Sequence, residues 1–267
     1  MYMSMNSGAL ALTTGTAPVR VSGARVFLLE AHSEFLRLLR APSFCVPTIA
    51  FPLMFYLLFG IFLAPVHAHP DAARAALANF LVIGSMAPGL FALGITLASD
   101  RERGLLELKR ALPMPPGIYL LAKLAMAMLF AAIVALLLMG LAATLGGISL
   151  PALRWLLLFA MAVIGVVPFC AIGLLVGALA KATAAPAVLN LIYLPMSFLS
   201  GLWMPLQFLP HSVARVAPLW PSWHLAQLGA AVIGEPASGA PAAHALVLLA
   251  VAAVCFTAAQ RALRRRR

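Results

Sequence analysis

Apolar residues in this chain run in long unbroken blocks instead of alternating with polar ones. Stretches without a single charge cover 41–70, 75–99, 124–153, 155–180, 182–214 and 236–260, and each is at least 25 residues long. About 20 apolar helical residues cross a hydrocarbon core of about 30 Å, so every one of these blocks is long enough to span. A β-barrel would show segments of about 10 residues with alternating polarity, and these runs do not alternate. The pattern predicts an all-α integral membrane protein with six transmembrane helices near 43–64, 76–98, 118–145, 155–179, 185–203 and 242–262.

Two further segments have their own pattern. Over residues 24–40, a 100° rotation per residue places Leu28, Ala31, Phe35 and Leu39 on one face and Glu30, Ser33, Glu34, Arg37 and Arg40 on the other. Such a helix lies flat in the membrane interface. It ends at Ala41-Pro42, because proline disfavours a helical residue before it. Pro47 and Pro52 then fall inside span one, where each removes a helical hydrogen bond. Between 204 and 236 the chain holds Pro205, Pro210, Pro218, Pro221 and Pro236 with Trp203, Trp220 and Trp223. Tryptophan favours the membrane interface, and the reading is a helical hairpin re-entering the outer leaflet. A seventh span over 216–234 would be short, broken by Trp220-Pro221-Ser222-Trp223-His224, and would move the C-terminal arginines outside.

Composition and charge sharpen this picture. The chain is 64% hydrophobic and 9% charged, with a mean hydropathy of +1.04, against about 25% charged in soluble domains. The net charge of +11 is unevenly spread. With both termini cytoplasmic, fifteen basic residues fall inside and only Arg74, Arg154 and Arg215 outside. That asymmetry is the positive-inside rule, and the expected site is the bacterial inner membrane. Arg264 to Arg267 then anchor the last helix at anionic headgroups and are not read as a nucleic-acid site. Residues 1–23 lack the layout of a signal peptide and read as a disordered cytoplasmic tail. The expected organisation is one transmembrane domain over 24–263 and a basic tail at 264–267. Cys45, Cys170 and Cys255 lie in apolar spans without paired spacing. His67, His69 and Asp71 share one short loop and read as solvated, with no metal expected.

Catalytic signatures are missing. There is no Gly-x-x-x-x-Gly-Lys-Ser/Thr for ATP, no His-Glu-x-x-His, and no Gly-x-Ser-x-Gly around Ser200. No ionisable residue is read at the middle of a span, where ion-coupled pumps keep their relays. Energy must therefore come from another molecule. A cue to the contact lies in Asp100 to Arg110, where seven of the chain's 25 charges are packed into eleven positions. Arg103 with Glu107 and Glu107 with Arg110 have helical pair spacing, and Pro113, Pro115 and Pro116 stop the segment. The reading is a short helix, held in water and placed to dock on something outside the membrane.

These residues resemble the permease subunits of type-2 (ABC-2) ATP-binding-cassette exporters. The family pattern is approximately Glu-Arg-Glu-x-Gly-Thr-Leu-Glu, a proline-rich turn, then Leu-Gly-Lys. Here stand Asp100-Arg101-Glu102-Arg103-Gly104-Leu105-Leu106-Glu107, then Pro113 to Pro116, then Leu121-Ala122-Lys123. After span five, Ser200-Gly201-Leu202-Trp203-Met204-Pro205 and Leu209-Pro210 are similar to the family's Ser-Gly-x-x-x-Pro…Leu-Pro signature. Asp100, Leu105 and Ala122 depart from the usual Glu, Thr and Gly, and Trp220-Pro221-Ser222-Trp223 stands where Asn-Pro is common.

The resemblance implies a half-transporter. Two permease chains, expected as a homodimer, would each dock a cytoplasmic ATPase that binds ATP and Mg; this chain itself would hold no cofactor. Asp100, Arg101, Glu102, Arg103, Gly104, Glu107 and Arg110 would form the coupling helix. Ser200, Gly201, Pro205 and Pro210 would shape the outer hairpin. Polar and aromatic residues of spans one, two and five (Tyr56, Asn79, Ser85, Asn190, Tyr193 and Ser197) are the candidates for a substrate pathway, each equally open to a packing role. The cargo would be amphipathic or lipid-linked, since no intramembrane charge awaits an ion. A stand-alone secondary transporter and an intramembrane enzyme are the competing readings. The first predicts a buried ionisable residue, the second a nucleophile or ligand cluster inside the spans.

Overall fold

The computed structural model describes residues 22–63, 70–106, 108 and 116–265, and among them every regular element is helical. Helix α1 (Gly23–Leu39) precedes α2 (Pro42–Phe55), which opens at a proline, where the missing N–H costs nothing. Pro52 lies in the last turn of α2, and the backbone then widens into a π-helical stretch, Tyr56–Phe62. The same happens after α3 (Pro70–Ala87): Pro88 starts a π-helical stretch, Pro88–Ala92, that leads into α4 (Leu93–Glu102). In both places proline removes an i→i−4 bond and a wider turn accommodates the break.

Helix α5 (Pro116–Thr144) is followed by α6 (Ala152–Ile164) and α7 (Val166–Leu179), joined at Gly165. Then come α8 (Ala185–Leu199), α9 (His211–Val216), α10 (Pro221–Ile233) and α11 (Pro241–Arg265). Among the described residues, five helical stretches are long and apolar enough to cross a membrane: Pro42–Phe62, Asp71–Glu102, Gly117–Thr144, Ala152–Leu179 and Pro241–Arg265. The protein is therefore a multi-pass helical membrane protein. The remaining predicted span, 185–203, is a 15-residue helix, Ala185–Leu199, ended by Ser200 and by Gly201 at φ 76°.

At the centre, α7 packs on the Asp71–Glu102 stretch through glycine. A Cβ built at Gly173 would lie 2.5 Å from the Leu90 carbonyl oxygen, and one at Gly177 would lie 2.6 Å from that of Gly94. Small residues four apart let membrane helices approach to backbone contact, so Gly173-Leu-Leu-Val-Gly177 sets this crossing. Helix α11 runs along α7, α1 lies on α5, and α10 is clasped between α3 and α11. The predicted outer hairpin region contains α9, α10 and two 3-10 turns, Leu206–Phe208 and Ala217–Leu219. Ser200 donates to the Met196 carbonyl at 2.6 Å and meets the Ser222 hydroxyl, which donates to the same carbonyl at 3.0 Å. These contacts pin the end of α8 to the start of α10. On the other side of α10, His224 Nδ1 lies 2.9 Å from His244 Nδ1 on α11.

Candidate functional site, a buried charge cluster under a turn

Three helices each contribute a pair of polar side chains at helical spacing, where residues three or four apart share a face. Helix α1 carries Glu34 and Arg37, α4 carries Thr96 and Asp100, and α5 carries Tyr119 and Lys123. Asp100 is at the centre and fully buried. Its Oδ1 accepts from Arg37 Nη1 at 3.0 Å and its Oδ2 from the Tyr119 hydroxyl at 2.7 Å. Lys123 Nζ, also fully buried, lies 3.1 Å from Asp100 Oδ2 and 3.0 Å from Glu34 Oε2, and it donates to Thr96 Oγ1 at 3.0 Å. Two carboxylates thus face two cations, and the group is neutral as a whole. Balanced pairing of this kind is what allows ionised side chains to leave water. On the interfacial helix, partial burial opposes the charge of Arg37, but Asp100 and Glu34 outweigh it and the guanidinium pKa is raised.

The next two residues tie further elements to the same spot. Arg101 reaches the C-terminus of α7, donating to the carbonyls of Gly177 (3.1 Å), Ala178 and Ala180. Those carbonyls lack intrahelical partners and carry the negative end of the helix dipole. Glu102 Oε1 accepts from the Ala182 N–H at 2.9 Å. The chain then turns: Gly104 adopts φ 70°, its N–H bonds to the Arg101 carbonyl at 3.2 Å, and the Leu108 N–H bonds to the Gly104 carbonyl at 3.2 Å. Positive φ is where glycine is favoured over any L-residue. In three consecutive positions, therefore, the chain ties itself to α1, α5, α7 and the turn after α7, and Glu102 and Arg103 are left exposed.

Several expectations change here. The segment from Asp100 was expected to be a solvated helix. Asp100 and Arg101 instead turn inward, because neutralising partners exist on α1, α5 and α7. A short helix is expected over 100–110; α4 ends at Glu102, the chain turns at Gly104, and Leu105, Leu106 and Leu108 are helical again. Glu107 and Arg110 lie outside the described residues, as do His67 and His69. The polar face of α1 was expected to look away from the membrane. Glu34 is only 3% exposed against α5, whereas Leu28 and Leu29 on the far side are 65% and 60% exposed. Lys123, counted among the cytoplasmic cations, is sealed about two turns inside α5. No single-position signal revealed it; the paired spacings on three separate helices were in the sequence, but not which helices meet.

The pathway candidates separate. Ser85 donates to the carbonyls of Leu81 and Ala162, both at 2.8 Å, and so fastens α3 to α6. Asn190 is exposed and donates to the Pro186 carbonyl at 3.0 Å, and Ser197 is buried on the Leu194 carbonyl at 2.9 Å. Tyr193 packs on Phe91 with ring centroids 5.5 Å apart, and Asn79 is half-buried on α3. Tyr56 is fully buried, its ring over Gly60, and its hydroxyl has no partner among the described residues. Nearby, Trp203 is ringed by Phe51, Phe55, Phe59, Phe80 and Phe198, and its indole N–H is buried and also without a partner among the described residues. Trp203 had been read only as an interface anchor. A cavity of about 460 Å³ opens along these rings between α2 and α8. Of the hairpin residues, Ser200 is committed to Met196 and Ser222, Gly201 makes the turn, and Pro205 and Pro210 precede the Leu206–Phe208 turn and α9.

Comparison with known proteins shows the family. The chain is 26% identical over 199 residues, 73% of its own length and 80% of the relative's, to a Bacillus subtilis (strain 168) protein named "Putative transport permease YvfS". A family model described as "ABC-2 type transporter" matches residues 3–228. The chain belongs to the ABC-2 type transporter family, the membrane-spanning permeases of ATP-binding-cassette transporters.

Proposed function

We propose that this permease is one half of an exporter that moves an amphipathic or lipid-linked substrate out of the cytoplasm. Two copies enclose the route, both termini face the cytoplasm, and the Ala185–Leu199 helix completes six crossings of the inner membrane. ATP and Mg are bound by a separate ATPase, one on each permease, docked against the turn after Glu102 and the polar edge of α1. Asp100, Arg101, Glu102, Arg103, Gly104, Glu107 and Arg110 form the coupling element. Its role is mechanical: a push on the exposed Arg103 turn moves α1, α5 and α7 together, since packed elements shift as rigid bodies. The observation that carries this reading is the grip of Asp100 on α1 and α5 and of Arg101 on α7, with Glu102 on the turn that follows α7.

The route is placed along α2 and α8, where Trp203 and Tyr56 supply unpartnered donors in an aromatic wall. Leu191, Phe198, Met54 and Phe62 are exposed on these helices and would face the second copy. The outer hairpin, pinned by Ser200 and Ser222, would close the route from outside by re-entering the leaflet.

The buried Lys123 and Asp100 give one point to the secondary-transporter alternative, which requires buried ionisable groups. Against it, all four charges are mutually neutralised at the ends of their helices. The test is affinity purification of the tagged chain from native membranes, with ATP hydrolysis measured on the eluate. Recovery of a P-loop ATPase with wild type, and its loss with Glu102→Ala plus Glu107→Ala in a chain that still elutes as a folded species, is the expected result. A purified chain without any ATPase, competent for transport in vesicles lacking ATP, would overturn the proposal.

A further inference from the structure

A second cavity shares no lining residue with the one along the aromatic wall. Helices α5 and α11 both rest on α7 and leave a furrow of about 910 Å³, floored by α4 and α7. Its walls are Leu97, Leu124, Leu174 and Phe256. The volume is in the range of cavities that enclose drug-sized ligands, and an apolar hole does not hold water. Both bounding helices are long enough to cross the membrane, so hydrocarbon is the solvent at the furrow's open side, where Leu249 is 65% exposed.

One end of the furrow is different. Gln260 and Arg264 line it, and Arg264 is exposed and has no ion pair with any described residue. Arg261 stands one turn earlier on α11, and Arg265 follows Arg264 in its last turn. Apolar length ending in a cluster of cations is the complement of a phospholipid whose phosphate is not cancelled by a choline or ethanolamine. We propose that the furrow binds one anionic glycerophospholipid, an acyl chain along Leu97, Leu124 and Leu174 and the phosphate on Arg264, with the Gln260 amide as a second donor. The lipid is one of the cytoplasmic leaflet, a placement that rests on the proposed orientation.

The site touches the charge cluster. Tyr119, which donates to Asp100, lines the furrow, and so does Leu106, just past the Gly104 turn. A seated acyl chain packs beneath the turn and holds Leu106 in place, so lipid occupancy steadies the segment to which the coupling role is assigned.

The experiment is native mass spectrometry of the purified chain after exchange into nanodiscs of phosphatidylcholine mixed with phosphatidylglycerol. Wild type is expected to retain one phosphatidylglycerol per chain in preference to phosphatidylcholine. Arg264→Gln should lower that preference about fivefold, the effect of one cation near an anionic surface. Ala253→Trp, at an exposed furrow position, should abolish retention of either lipid by filling the space. Arg25→Gln, which removes one charge far along the chain on α1, should change nothing, and size-exclusion profiles establish that each variant is folded. Equal retention of the two lipids by wild type, or unchanged preference in Arg264→Gln, would overturn the proposal; retention of free inorganic phosphate in place of lipid would do the same. The readout needs no ATPase, so this site and the exporter reading fail or stand separately.

Discussion

Lys123 illustrates how a single side chain in this protein depends on its neighbours. With Asp100, Glu34 and Thr96 around it, the ammonium is fully paired. Replacing it leaves two buried carboxylates against one arginine, and breaking a buried pair typically costs about 3–5 kcal/mol. Lys123→Met should therefore lower thermal stability sharply in detergent. Adding Asp100→Asn restores the charge balance and should recover part of the loss; a double variant as unstable as the sum of its singles would show that charge balance is not what holds the cluster. Glu235, outside the spans, gives a pH test. Burial raises its pKa, nearby Asp71 adds to this, and Arg74 opposes it. A carboxyl group whose folded pKa is raised favours folding below its unfolded pKa, about 4.3, and loses that contribution as pH rises through the folded value. Glu235→Gln should therefore melt above wild type at neutral pH, with the gap closing near pH 4. A gap of the same size at both pH values would contradict the assignment. At this scale the sequence showed which residues were charged, but their partners, 63 and 19 positions apart for Arg37–Asp100 and Tyr119–Asp100, are not set by local pattern.

Element by element, the spans were legible because length and apolarity alone decide whether a helix lies in lipid. The breaks at Pro52 and Pro88 follow from local chemistry as well, as does the turn at Gly104. What could not be read was facing. Every side of a membrane helix is apolar, so periodicity does not distinguish the side that meets protein from the side that meets lipid. The Gly173–Gly177 spacing was present in the chain, yet nothing local says that it receives α4. Gly177→Leu should drive a side chain into the Gly94 carbonyl and the Leu97 Cβ, which lie 2.6 Å and 3.0 Å from a Cβ placed there. Overpacking of this kind costs about 1–3 kcal/mol, and α4 should separate from α7. The same change at Gly140, with open space around it, should cost far less. Equal melting temperatures for the two variants would show that the glycine contact does not set the crossing. Helix α1 makes the same point: the side that meets α5 cuts across its two sequence faces, with Glu34 buried on Lys123 and Phe35 packed on Phe130 while Ser33, Arg37 and Arg40 stay exposed.

For the whole molecule, the parity of the crossings is the open geometric quantity. Five stretches are long enough to span, and Ala185–Leu199 has 15 residues. If it crosses, the count is even and both termini share one side; if it does not, they are on opposite sides. Reporter fusions at the two ends, active only in the cytoplasm, should both be active. One active and one silent fusion would remove the sixth crossing and the placement of the C-terminal arginines at the cytoplasmic leaflet. The sequence by itself determined the membrane setting, the helical class, the positive-inside asymmetry and the family, since these rest on composition, block length and short local motifs. Tertiary structure alone decided that Asp100 and Arg101 turn inward onto α1, α5 and α7 instead of lying in water, while Glu102 stays exposed against the turn after α7. It also decided that Lys123 is buried and that α5 and α11 leave a furrow ending at Arg264. The physical reason is that nearly every face of the chain is apolar: which faces meet, and so where a furrow stays open and which charges find opposite charges or free helix-end carbonyls, is decided only by packing between distant residues.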